Sequence, residues 1–177
     1  MYMRNRKIAE SGEEGAIRMA ISLLAYKENT EKELFRKLLD RGCTEEDAKA
    51  AVRFAVEKNY LCEERYFQRF AERCATDRLF GKRRVMQEAR RKGFSERTIK
   101  EAAAFLKEMD FDELCYRALK KAGSGSREKT AVALNRRGFS TANIRYAFLA
   151  WEEEFGIPYG AEEILSLIHI SEPTRPY

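Results

Sequence analysis

The sequence repeats itself three times around a glycine, and this repeat constrains the fold more than any other feature. The three glycines, Gly42, Gly93 and Gly138, lie 51 and 45 residues apart, and each follows a stretch rich in basic residues. Periods of this length are typical of small helical units that stack on their neighbours, because one unit alone buries too little core. We therefore expect a tandem array of similar units.

Each repeated glycine is flanked by the patterns expected of two helices. Apolar or small residues recur four positions before it and six and nine positions after it, which suits buried helix faces. Thr30, Gly81 and Ser126 lie twelve positions before the glycines and can begin the first helix of each unit. Thr30 and Glu33 have the spacing of a capping box. The glycine should end the first helix, and the Thr or Ser two residues later should begin the second.

A further helix is predicted ahead of each pair, at about residues 16–27, 63–78 and 112–122. Helix-favouring residues dominate, and no proline occurs before Pro158, so the composition favours helix over sheet. We predict an all-α fold, a tandem array of three three-helix repeats. The predicted segments are a flexible N-terminal segment at 1–15, repeats at 16–60, 63–109 and 112–155, and an atypical C-terminal tail at 156–177.

Little in the sequence indicates catalysis or a metal site. The four cysteines are separated by 19, 12 and 41 positions, and the only histidine, His169, lies in the tail. Zinc sites need four closely spaced nitrogen or sulfur ligands, so we expect no metal, no cofactor and four reduced thiols. Without histidine in the body, no Ser-His-Asp set can form. We expect a protein that is not an enzyme.

Two local motifs suggest other functions but fit them poorly. The stretch 123–130 ends in Lys-Thr like a phosphate-binding loop, but Glu128 stands where the glycine before the lysine is required. The stretch 91–99 resembles a helix-turn-helix with a glycine turn. Because that pattern occurs three times, a helix-packing turn is the better interpretation. No apolar run approaches the ~18 residues of a membrane span, so we expect a soluble, cytoplasmic protein.

Positive charge is concentrated in two stretches. The chain has a net charge of +5, yet residues 65–100 carry +8 and residues 117–145 carry +7, with an acidic stretch of −4 between them. The basic residues follow the repeat, since 90–92 and 136–137 are equivalent positions. A stacked array could then present them along one side to a polyanion or an acidic protein groove.

Three segments in order resemble the RecX family, bacterial modulators of the RecA recombinase. They are Asn-Tyr-Leu-Cys-Glu-Glu-Arg-Tyr-Phe at 59–67, Gly-Lys-Arg-Arg-Val followed by Gln-Glu-Ala-Arg-Arg-Lys-Gly within 81–93, and Arg-Arg-Gly-Phe-Ser at 136–140. Cys62 and Glu63 stand where the family usually has Asp-Asp, Asn59 where Gly is usual, and Ala89 where Leu is typical. The resemblance covers about residues 16–155.

The resemblance implies an elongated, curved stack that binds the RecA filament on single-stranded DNA. It implies inhibition of filament growth, ATP turnover and strand exchange, and so regulation of DNA repair, recombination and the SOS response, without chemistry by the protein itself. Charge and repeat equivalence suggest the contact surface, and a monomer is expected. The candidate contact residues are Arg65, Arg69, Arg73, Arg83, Arg84, Arg90, Arg91, Lys92, Arg136 and Arg137.

Two questions stay open at the level of sequence. A stand-alone, basic helical-repeat protein that binds DNA directly would show the same charge pattern, and only the ordered family-like segments favour the filament. The stretch 165–177 holds two of the three prolines and fits no helical pattern of the body. We interpret it as a non-native replacement of the true C-terminus.

Overall fold

The computed structural model describes residues 12–123 and 125–160, and every secondary-structure element within these ranges is a helix. The all-α prediction is therefore confirmed. The helices are α1 Glu13–Tyr26, α2 Glu31–Leu39, α3 Glu45–Glu57, α4 Glu63–Thr76, α5 Lys82–Lys92, α6 Glu96–Glu101, α7 Phe105–Glu108, α8 Phe111–Ala122, α9 Arg127–Arg136 and α10 Thr141–Phe155. The stretch 165–177 with His169, and residues 1–11, lie outside the described residues.

The second repeat departs from the expected three helices. Its last helix is divided into α6 and α7, with a break at residues 102–104. There the N–H of Ala103 donates to the carbonyl of Lys100 at 3.2 Å, three residues back, so the turn is tighter than in an α-helix. The sequence pattern of alanines across this break gave no indication of it.

The described residues divide into two compact units, and the division falls within α4 and α5. Unit 1 contains the residues up to Phe70 together with Glu88–Ala104, and unit 2 contains Ala71–Gln87 together with the residues from Phe105 onward. The boundaries of the three sequence repeats stay a prediction. Each unit has its own buried core.

In unit 1, α1 packs against α3 through small side chains. Ala16 and Ala20 of α1 and Ala48, Ala51 and Ala55 of α3 are almost fully buried, which permits a close approach of the two helices. Leu34, Leu38, Val52 and Leu61 complete this cluster, and a group of aromatic rings lies elsewhere in the same unit. The ring of Phe94 lies 5.0, 5.5 and 5.4 Å, between centroids, from the rings of Tyr66, Phe67 and Phe70 respectively.

In unit 2, α8 packs against α10. Cys115 and Leu119 of α8 and Ala147 of α10 are fully buried. All four cysteines are thiols, but only Cys74 and Cys115 are buried, while Cys43 and Cys62 are half-buried. Burial raises the pKa of Cys115 to about 12, so this thiol stays protonated and behaves as a small apolar group.

The predicted glycine stops are confirmed in all three repeats. Gly42, Gly93 and Gly138 have φ values of +91°, +98° and +93°, a region that favours glycine. Each following helix begins at a hydroxyl residue whose side chain accepts a hydrogen bond from the backbone N–H three residues later. These N-caps are Thr44, Ser95 and Ser140.

A helix start packs against a glycine turn in each unit. In unit 2, the N–H of Gly81 donates to the carbonyl of Arg137 at 2.9 Å, and the N–H of Arg83 donates to the carbonyl of Gly138 at 3.3 Å. These bonds satisfy N–H groups that the start of α5 leaves unpaired. A Cβ added at Gly81 would overlap the backbone of Gly138, and one added at Gly138 would overlap the backbone nitrogen of Arg84. Only glycine at both positions permits this contact.

The equivalent contact in unit 1 is looser and uses side chains. A Cβ added at Gly93 would lie 3.4 Å from the hydroxyl oxygen of Thr30, the N-cap of α2. Thr30 and Glu33 form the predicted capping box, in which the Thr30 hydroxyl accepts from the N–H of Glu33 at 3.1 Å. Thr30 and Gly81 are equivalent positions in the repeat. In both units, therefore, the start of one helix packs against the glycine turn of the next repeat.

Gly138→Ala should destabilise the protein more than Gly42→Ala. Both substitutions place a side chain at a nearly identical positive φ, which costs about 1–2 kcal/mol. At Gly42 the added Cβ meets no described residue within 4 Å, whereas at Gly138 it overlaps α5, which adds about 1–3 kcal/mol. Urea unfolding of both variants measures the difference. Equal losses of unfolding free energy would show that the contact of the turn with α5 adds nothing.

Candidate functional site

The ten basic residues predicted as a contact surface lie on α4, α5 and the end of α9. Arg65, Arg73 and Arg136 are exposed and make no hydrogen bond or ion pair with another residue of the described ranges. Their side chains are therefore exposed, with no donor bound to another described residue. These three fit the prediction of a surface for an acidic partner best.

Four of the ten pair with acidic side chains of the same chain. Three of them keep half or more of their side chain exposed, and the pairs of Arg69 and Arg90, whose carboxylates are exposed too, are weak and can exchange for an external partner. The pairs are Arg69 with Glu28 at 2.7 Å, Arg90 with Glu96 at 2.9 Å, Arg91 with Glu88 at 2.5 Å and Lys92 with Glu33 at 2.6 Å.

Lys92 is the exception among these pairs because both partners are largely buried. The side chains of Lys92 and Glu33 are only 27% and 18% exposed, and the Glu33 carboxylate also accepts the N–H of Thr30 at 3.2 Å. Burial lowers the pKa of Lys92, but the hydrogen bond and charge of Glu33 and the nearby Tyr66 raise it above 10.5. Lys92 thus links the end of α5 to the capping box of α2.

The remaining three basic residues support the contact between α5 and the Gly138 turn. Arg83 donates to the carbonyl and the side-chain oxygen of Asn135 at 2.5 and 3.1 Å. Arg137 donates to the carbonyl of Arg78 at 3.0 Å, and the half-buried Arg84 lies over the ring of Phe80 at 5.5 Å. These side chains have internal roles that their charge alone could not reveal.

Glu63 is an important residue whose role the sequence did not indicate. Its buried carboxylate accepts hydrogen bonds from the N–H of Glu31 at 2.9 Å, the N–H of Ser95 at 3.2 Å and the hydroxyl of Thr98 at 2.8 Å. It therefore joins the starts of α2 and α6, where helix dipoles favour negative charge. The sequence feature that could have identified Glu63 was its position in the RecX-like segment 59–67.

Within the described ranges, no helix is long and apolar enough to span a membrane. The same residues contain no cluster of three or more metal-ligating side chains.

Comparison with known proteins identifies the family. Residues 16–54 match the family description "RecX, first three-helix domain". The chain is 32% identical over 161 residues to the regulatory protein RecX of Vibrio parahaemolyticus, an alignment that covers 87% of this chain and 99% of that protein. It is 33% identical over 142 residues to the regulatory protein RecX of Vibrio campbellii, with coverage of 76% and 90%. The chain belongs to the RecX family.

Solved structures agree with this helical-repeat fold. The crystal structure of RecX from Lactobacillus salivarius superposes with a TM-score of 0.68 and 15% identity, covering 78% of this chain and 95% of that one. The region that matches the first RecX domain spans most of α1, all of α2 and most of α3.

The segments that resemble the RecX family coincide with the contacts between helix starts and glycine turns. Glu63 lies in the first segment, Gly81 in the second and Gly138 in the third, and all three residues make the contacts described above. These RecX-like residues therefore explain how the chain packs. The exposed arginines beside them are the better candidates for binding.

Glu63→Gln should destabilise the protein by about 1–3 kcal/mol, because the new amide places a donor among groups that already donate. Glu64→Gln is the matched control, since Glu64 is adjacent and exposed. Chemical denaturation of both variants gives the free energies of unfolding. A loss for Glu63→Gln no larger than that for Glu64→Gln would contradict the role of the buried carboxylate.

Lys92→Met should lower the free energy of unfolding at neutral pH by about 1 kcal/mol. It should also remove one cause of the loss of stability at alkaline pH. Because the folded pKa of Lys92 is raised, its ion pair stabilises the fold fully below the unfolded pKa and is lost as pH rises through the folded pKa. The unfolding free energies of wild type and variant should therefore converge as pH rises through the folded pKa of Lys92. A difference that is independent of pH would show that Lys92 acts only through its packing.

Proposed function

We propose that this chain is a non-catalytic regulator that binds the RecA filament on single-stranded DNA in the cytoplasm. By occupying the filament it would inhibit filament growth, ATP turnover and strand exchange, and so regulate recombination, repair and the SOS response. Membership of the RecX family and relatives named as regulatory proteins support this proposal. Among individual residues, the exposed side chains of Arg65, Arg73 and Arg136 support the proposal best.

The same proposal includes the shape and the oligomeric state. The chain would be an elongated, curved stack of three helical repeats, and it would be a monomer. An extended acidic target needs cations distributed over a length of chain rather than concentrated in one pocket. The net charges of +8 and +7 on residues 65–100 and 117–145 meet that need. The alternative function is direct binding to DNA, which the same charges would support.

RecA ATP turnover on single-stranded DNA, with this protein added below one copy per RecA subunit, distinguishes the two functions. A filament regulator should lower turnover progressively at such ratios, and excess bare single-stranded DNA should not relieve the inhibition. A DNA-binding protein should act only when it saturates the strand, and added bare DNA should restore turnover. The second result would overturn the proposed function.

Reversal of two exposed charges tests the proposed contact residues. Arg65→Glu with Arg73→Glu should raise the concentration for half-inhibition by about tenfold, because both side chains lose their attraction to the acidic partner. Arg36→Glu with Arg53→Glu is the matched control, since both arginines are exposed helix residues outside the two basic stretches. Equal effects of the two double variants would show that net charge alone, and not position, governs inhibition.

A further inference from the structure

The start of α9 is covered by residues that follow the last helix. The hydroxyl of Tyr159 donates to the carbonyl of Gly123 at 2.5 Å and lies 3.2 Å from the hydroxyl oxygen of Thr130. The ring of Tyr159 is buried and lies 5.3 and 5.0 Å, between centroids, from Phe148 and Trp151. These contacts attach the segment 156–160, which belongs to the predicted atypical tail, to the body of unit 2.

Gly160 has the geometry of a repeat glycine. Its φ is +89°, beside +98° at Gly93 and +93° at Gly138. A Cβ added at Gly160 would lie 3.1 Å from the carbonyl oxygen of Gly125 and 3.6 Å from the backbone nitrogen of Arg127, the first residue of α9. Gly160 thus packs against a helix start as the two repeat glycines do.

The three helix starts at equivalent repeat positions are therefore all covered. Thr30 contacts the Gly93 turn and Gly81 contacts the Gly138 turn, so each start meets the glycine turn of the next repeat. At the start of α9, which begins after Ser126, the segment with Gly160 takes the place that a glycine turn takes at the other two starts. The glycine turn of the first repeat is open in this respect, since a Cβ added at Gly42 meets no atom of the described residues within 4 Å.

We propose that residues 156–160 form an end cap that occupies an interaction surface for the glycine turn of a second copy. The surface is the start of α9, and the partner that fits it is the open Gly42 turn of another molecule. That contact would be head-to-tail, with different surfaces on the two copies, so it would propagate into open chains. Repeat arrays need such capping of their ends to remain soluble.

The first experiment removes the cap in the full-length chain. Tyr159→Ala deletes the buried ring and both hydroxyl contacts, and sedimentation velocity over a wide concentration range reports the mass. We expect the wild type to remain monomeric and Tyr159→Ala to reach about twice the monomer mass or more as concentration rises. Tyr159→Phe keeps the ring and serves as the control that stays monomeric.

The second experiment tests whether the Gly42 turn is the partner. At the Gly93 turn a Cβ would still fit, 3.4 Å from the Thr30 hydroxyl oxygen, so a bulky side chain is needed to block the same kind of contact at Gly42. Gly42→Trp combined with Tyr159→Ala should therefore return the mass to that of the monomer. Association that persists in the double variant would overturn the proposal that the contact is head-to-tail. A wild type that forms the same chains would overturn the proposal that residues 156–160 act as a cap.

A third variant decides the matter if Tyr159→Ala does not fold, as judged by circular dichroism. Gly160→Ala keeps the aromatic ring of Tyr159 but places a side chain at φ +89°, close to the Gly125 carbonyl. It should loosen the cap and cause the same concentration-dependent association. A folded Gly160→Ala that stays monomeric throughout the range would overturn the proposal.

Discussion

The close approach of a helix start to a glycine turn is the contact on which the rest of this structure depends. In unit 2 two backbones meet at Gly81 and Gly138 with no room for a Cβ on either, and the N–H groups at the start of α5 bond to the carbonyls of that turn. Such a contact satisfies polar groups that a helix end leaves unpaired and buries them at the same time. It therefore joins segments far apart in the chain.

In unit 1, side chains connect the helix starts, whereas in unit 2 backbone groups make the equivalent contact. The carboxylate of Glu63 accepts from the starts of α2 and α6, and the pair of Lys92 with Glu33 connects the capping box of α2 to the end of α5. Both carboxylates lie where helix dipoles favour negative charge. Charged residues thus act here as internal connectors, which reduces the set available for binding.

This use of charge separates the basic residues into those that hold the fold and those that face solvent. Arg83, Arg137 and Lys92 donate to partners within the chain, whereas Arg65 and Arg73 have none among the residues that the structure describes. A count of charges does not distinguish these residues, because local sequence does not show which carbonyl or carboxylate a long side chain will reach. The proposed contact surface is consequently narrower than the basic stretches.

The sequence by itself determined the helical class, the three glycine stops and the capping box of Thr30 and Glu33. These features depend on local physics, because capping, positive φ and helical periodicity involve residues close together in the chain. Only the tertiary structure decided that Glu63 joins two helix starts and that Tyr159 and Gly160 cover a third. Those contacts join residues about 30 or more positions apart, so their energy comes from packing and hydrogen bonds that no local pattern records.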